Sequence, residues 1–164
     1  MKYKYFIQAR YEFRIKRAGY VRNIKNAVMN VFGKVFLGNY PGNKATPMEI
    51  ANWKNSKNVK WASENLWNPV ENSNDLHDTY INRITNEVLK KSERAENNCL
   101  FVVAIVDLIF DPEIQTTTLS GELITKRMDQ MEKDKESYED DTDENDQEDD
   151  QEDDQTDDRD ADTS

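Results

Sequence analysis

The chain has 164 residues, with 22 Lys+Arg against 33 Asp+Glu and a net charge of -11; that is one domain of ordinary size, and two large domains are excluded. The charge is unevenly spread: residues 1–60 carry 13 basic and 2 acidic side chains, 61–115 carry 4 and 10, and 116–164 carry 5 and 21. A uniformly acidic protein is therefore excluded, and the opposite signs of the two ends point to charged partners.

From Tyr3 to Ile15 the odd positions are Tyr, Tyr, Ile, Ala, Tyr, Phe and Ile, while the even positions are mostly Lys, Arg, Gln and Glu. Period two over this length predicts a long strand, bent or bulged, with one apolar and one basic face. After Gly19, the apolar residues Val21, Ile24, Ala27, Val28 and Val31 fall at helical spacing and predict a helix ending near Gly33. Lys34 to Leu37 suggests a short strand, followed by the turn residues Pro41-Gly42-Asn43.

Thr46-Pro47-Met48-Glu49 has the form of a capping box with proline at the first helical position, so a helix starts there and carries Ile50 and Trp53. Val59 and Trp61 around Lys60 allow another short strand, with a helix through Trp67 as the alternative. Asp75 is placed to cap a helix bearing Leu76, Tyr80, Ile84 and Val88, closed by Lys90-Lys91. Leu100 to Phe110 is apolar at nearly every position, rich in β-branched residues and stopped by Asp111-Pro112, which suggests a buried central strand.

In that order the elements fit an α+β fold, a split βαβ (ferredoxin-like) sandwich with a small inserted helix. A basic domain over 1–115 would be followed by a connecting segment over 116–137 with a helix from Gly121. Residues 138–164 would form a disordered acidic tail containing the near-repeat Gln147-Glu-Asp-Asp-Gln-Glu-Asp-Asp-Gln155. The longest apolar run is too short to span a membrane. The opening Lys2-Tyr3-Lys4-Tyr5 is unlike a secretory signal, so a cytoplasmic location is expected, that of the host if the lysine- and asparagine-rich chain is viral.

Signals for chemistry are sparse. His77 and Cys99 are single residues of their type and make no metal cluster or nucleophile pair, and the five glycines form no phosphate-binding loop. Cys99 reads as a small buried hydrophobe. Asp107 and Asp111, at the end of the supposed strand, are the one carboxylate pair suited to a metal-dependent nuclease, with no third ligand at a convincing spacing. No cofactor is expected.

Basic and aromatic residues carry the stronger signal. Lys2, Lys4, Arg10, Arg14 and Lys16 would contact phosphates around a stacking Phe6, and Arg17, Arg22 and Lys25 would extend the footprint. Lys54, Lys57, Lys60 and Trp61 make a second interleaved group, in which Trp53 reads as core. The expected function is non-enzymatic nucleic-acid binding, favouring single strands of DNA or RNA, with the tail competing for the basic face and recruiting protein partners. In layout the chain resembles single-stranded DNA-binding proteins of phages and bacteria. The alternative is an inhibitor whose acidic tail mimics nucleic acid on a host enzyme.

Overall fold

A computed structural model describes the backbone of residues 2–140 and the side chains of residues 17–136. Within that range the fold is helical: α1 (Lys2–Phe32), α2 (Lys34–Leu37), α3 (Pro47–Lys54), α4 (Lys57–Glu64), α5 (Tyr80–Val88), α6 (Glu96–Phe110) and α7 (Gly121–Asp140), with one 3-10 turn at Lys91–Glu93. Among the described residues there is no strand; the only β-type pairing is an isolated bridge between Pro69 and Thr79. The expected α+β sandwich is therefore wrong.

Two misread segments account for most of that error. No proline interrupts residues 2–32, and a single interior glycine such as Gly19 costs a helix only about 1 kcal/mol. The helix thus runs unbroken through the alternating segment, overriding its period-two pattern. Leu100–Phe110 belongs to α6, in which Phe101, Val102, Ala104, Ile105, Val106, Leu108, Ile109 and Phe110 are all buried. A helix hydrophobic on every side is a helix enclosed by others. It satisfies its own backbone hydrogen bonds, whereas a central strand needs neighbours that this sequence lacks. The two short strands expected at 34–37 and 59–61 lie in α2 and α4.

Around α6 pack Ile24, Val28 and Phe32 of α1, Val59 and Ala62 of α4, Ile81 and Ile84 of α5, and Ile124 of α7. Full burial of each larger aliphatic side chain contributes about 1.5–3 kcal/mol relative to exposure. α7 lies antiparallel on α6: Arg127 engages Asp107 and Asp111 at one end, and Lys135 reaches Glu96 at the other.

The capping box stands as read. Thr46 N donates to Glu49 Oε2 at 2.7 Å, and Glu49 N donates to Thr46 Oγ1 at 3.3 Å. Asp75 does not cap α5, however. Its Oδ1 accepts the His77 N–H at 2.8 Å inside a loop, Thr79 caps the helix instead, and Leu76 is left 79% exposed. Of the expected tail, residues 138–140 continue the backbone of α7, and the remainder lies outside the described residues. Among the described residues no helix is long and apolar enough to cross a membrane.

Candidate nucleic-acid interface

The basic residues expected to act together are divided among α1, α3 and α4. Lys2, Lys4, Phe6, Arg10, Arg14 and Lys16 belong to the first half of α1, where positions two apart are rotated by about 200°. A strand would align such positions on one face; on this helix Lys2, Phe6, Arg10 and Arg14 nevertheless recur every fourth position along one side, and Lys4 falls on the other. Their side chains lie outside the described residues. Further along α1, Arg22 is exposed, whereas Arg17 is half-buried with its guanidinium against Gly121. A Cβ added at Gly121 would stand 2.1 Å from Arg17 Nη1, so a larger residue there would make the flexible end of Arg17 move.

Lys25 and Lys54 turn inward. Lys25 Nζ donates to the Thr117 carbonyl at 2.5 Å and stands 5.2 Å from the centroid of the Tyr40 ring. Lys54 is 2% exposed, and its Nζ donates to the carbonyls of Leu108, Asp111 and Ile114 at 3.0, 2.8 and 2.7 Å. It thus caps the C-terminal end of α6, where the helix dipole favours a cation. Burial pushes its ammonium down to about 8, against the opposing pull of Asp111. Burial likewise lowers Lys25 and raises the Tyr40 phenol to about 12.

The candidate nuclease carboxylates are also occupied. Arg127 bonds Asp107 through Nη1 and Asp111 through Nη2. Asp107 is raised by burial despite the guanidinium beside it. In Asp111 burial acts in the same direction but is outweighed by the Arg127 hydrogen bond, the Glu113 N–H and the charges of Arg127 and Lys54, so its carboxyl lies below the ordinary value. Among the described residues no group of three or more His, Cys, Asp or Glu could hold a metal ion. His77 is exposed in the loop before α5, and Cys99 is half-buried in the first turn of α6.

Lys57, Lys60 and Trp61 are brought together at the surface. Val59 and Ala62 turn α4 toward the core, which leaves Lys57 and Lys60 exposed one turn apart, with Trp61 half-buried beside them. Against this helix sits α2, a single turn between Gly33 (φ 90°) and Gly38 (φ 74°), left-handed positions that glycine occupies without strain. Asn58 Nδ2 donates to the Phe36 carbonyl at 2.7 Å, and Trp53 Nε1 to the Leu37 carbonyl at 3.0 Å, so α2 is held by both α3 and α4.

The Phe36 ring meets Trp61 edge-on at 5.5 Å, and Trp61 meets Tyr80 at 5.9 Å. Tyr80 stacks on Phe32 at 4.7 Å, and Phe32 meets Phe110 at 6.0 Å. A continuous row of rings thus leads from the core helix to the surface beside Lys57 and Lys60. Lys34 and Lys44 are exposed as well. Over residues 34–64, four exposed lysines stand against two exposed glutamates, Glu49 and Glu64.

Phe36 and Lys34 were missed in the sequence because the segment read as a strand. The available signal was its bracketing, Gly-Lys-Val-Phe-Leu-Gly, with a glycine on either side of an isolated apolar turn. Trp53 packs edge-on against Tyr40 at 5.0 Å, a core-side position. No protein family, curated protein or solved structure matches the chain.

Proposed function

We propose that the protein binds single-stranded nucleic acid, without catalysis, through the surface formed by α2 and α4. The supporting observation is the exposure of Lys57 and Lys60 beside the edge-to-face pair of Phe36 and Trp61. Lysines there can replace the counterions of a phosphate backbone. A base splayed from a single strand can rest on an aromatic ring, which a paired base in a duplex cannot do without being extruded. Two contacts from neighbouring helices fix α2, so the ring pair is ordered before any ligand arrives and its ordering adds no cost to binding.

The reading is tested by fluorescence anisotropy of a labelled oligothymidylate and its duplex, titrated with the full chain at low salt. Single-strand binding should weaken with salt at a log–log slope of up to about -3, as four lysines imply. Lys57→Glu with Lys60→Glu should reduce affinity at least tenfold on the order of the charge reversed, with the helical circular dichroism unchanged. A full chain that binds neither strand form at low salt, or a double variant that binds as tightly as the parent, rejects the assignment.

A further inference from the structure

The loop between α4 and α5 turns two large apolar side chains to solvent: Trp67 is 64% exposed and Leu76 79%. Neither is exposed because the chain around it is slack. Before Trp67, Leu66 is buried, and its carbonyl accepts the Ile81 N–H at 2.9 Å. After it, Asn68 N donates to the Asn65 carbonyl at 3.0 Å and Asn68 Nδ2 to Asn65 Oδ1 at 2.8 Å. Leu76 is held in the same way. Asp75 accepts the His77 N–H on Oδ1 at 2.8 Å and the Asp78 N–H on its carbonyl at 3.1 Å, and the His77 carbonyl accepts Asn82 Nδ2 at 2.7 Å. The Pro69–Thr79 bridge and the Arg83–Asp78 ion pair close the loop. A fixed backbone thus holds both side chains outward before any partner arrives, so presenting them adds little ordering cost to binding.

Charge decides what that partner is. Residues 62–82 contain four acids and no lysine or arginine. Asp78 is neutralised by Arg83 of α5, whereas Glu64, Glu71 and Asp75 are exposed. A phosphate backbone or an anionic lipid surface would meet like charge there. We propose that this loop docks a cationic segment of a partner protein, with Trp67 and Leu76 receiving its apolar side chains and Glu64, Glu71 and Asp75 facing its lysines or arginines. The site shares no residue with the α2–α4 surface and is opposite to it in charge, so it does not depend on nucleic-acid binding.

The bridge also sets the size of the segment. Trp67 lies two positions before Pro69 and Leu76 three before Thr79, on opposite sides of an antiparallel pairing. At no more than about 3.3–3.6 Å per residue, and about 5 Å across the bridge, their Cα atoms lie within about 18 Å of each other. About twelve helical residues, or about six extended ones, span that distance. A short linear segment can therefore engage both anchors at once.

The test uses the full chain and, as probe, a synthetic amphipathic peptide of leucine and lysine about 14 residues long, enough to span both anchors as a helix. Backbone amide NMR shifts are followed at low salt. Site-resolved shifts are read in place of total binding, because residues 141–164 hold fourteen acids that attract any polycation. Saturable shifts are expected at residues 66–68 and 74–77. Trp67→Ser with Leu76→Ser should weaken that saturation by about tenfold or more, as loss of an aromatic anchor does. Glu64→Gln with Glu71→Gln should weaken it about threefold at low salt and leave it unchanged at about 0.5 M. Helical circular dichroism should be the same in both variants as in the parent. Loop amides that do not move, or that saturate equally in the Trp67 and Leu76 variant, overturn the proposal. Shifts of the same amides as the chain alone is concentrated would assign the loop to a second copy, and shifts on adding oligothymidylate would assign it to nucleic acid; either result overturns the cationic partner.

Discussion

Lys54 Nζ donates to the Leu108 carbonyl at 3.0 Å, which places a lysine of α3 inside the last turn of the core helix. The Asp111 and Ile114 carbonyls complete its three acceptors. Lys54→Met keeps the length and apolar stem but leaves three carbonyls without their donor. Each buried acceptor so orphaned costs about 1–3 kcal/mol unless water reaches it. A loss on the order of 3 kcal/mol is expected in urea titration, and a loss below about 0.5 kcal/mol would remove Lys54 from the role of keystone.

The same residue predicts an alkaline signature. Its pKa is about 8 in the fold against 10.5 ordinarily, so between those values the native state holds fewer protons than the unfolded chain. Stability should therefore rise with pH across that window, by about 2 kcal/mol from pH 8 to pH 10. The rise is fully present above the ordinary lysine value and lost as pH falls through 8. Above pH 10 Tyr40, raised to about 12, works in the opposite direction, because the unfolded phenol releases its proton first. Urea midpoints at pH 8 and pH 10 should separate more in the parent than in Lys54→Met, where Lys25 and Tyr40 still titrate; equal separation in the two would refute the assignment.

Arg127 ties α7 to α6 through two carboxylates at once, a geometry for which the planar guanidinium suits and an ammonium does not. Arg127→Lys should therefore behave more like Arg127→Ala than like the parent, each losing about 2–3 kcal/mol as Asp107 and Asp111 are left facing one another. Hydrogen exchange in α7 should accelerate in both variants. Full protection of α7 in the lysine variant would show that a single contact suffices.

At low pH a local loss is expected in the loop between α4 and α5. Asp78 accepts Arg83 Nε at 2.8 Å, Arg83 Nη2 at 2.7 Å and Ser73 Oγ at 2.9 Å. The Arg83 hydrogen bonds and then that of Ser73 hold its carboxyl down to about 2. The stabilisation is present above the ordinary value of 3.8 and is lost as pH falls through 2. Amide protection over residues 70–78 should fall in that window in the parent and be low at every pH in Asp78→Asn.

Thr46→Ala removes one half of a reciprocal cap and should lower stability by about 1 kcal/mol. This helix start was legible from four residues because capping is local chemistry: the partners lie three positions apart and need nothing from the rest of the fold. The helical spacing of Val21 to Val31 and the start of α7 at Gly121 were legible for the same reason.

What failed was mostly long-range. Tyr3–Ile15 alternates as a strand would, yet it is continuous with a segment that must be helical, and only Gly19, a weak breaker, lies between them. Leu100–Phe110 is apolar nearly all round, a pattern common to buried strands and enclosed helices, and its eleven residues, longer than most strands, were the local cue to a helix. Lys54 follows Ile50 by one turn, which put it on the buried face of α3, but no local rule says that three carbonyls from a distant helix end await it. Lys57, Lys60 and Trp61 could be singled out by type and spacing; Phe36 could not, since its meeting with Trp61 depends on the path of the chain between two glycines.

The file of aromatic side chains from Phe110 through Phe32, Tyr80 and Trp61 to Phe36 gives the molecule an intrinsic optical sensor. Tyr80 and Trp61 are close enough for excitation absorbed by the phenol to be emitted by the indole, whose colour follows its exposure to water. Trp53 and Trp67 emit as well, so occupancy at the rim and melting of the interior would be read in the Trp61 share of the unlabelled emission, the first as a small quench and the second as a red shift.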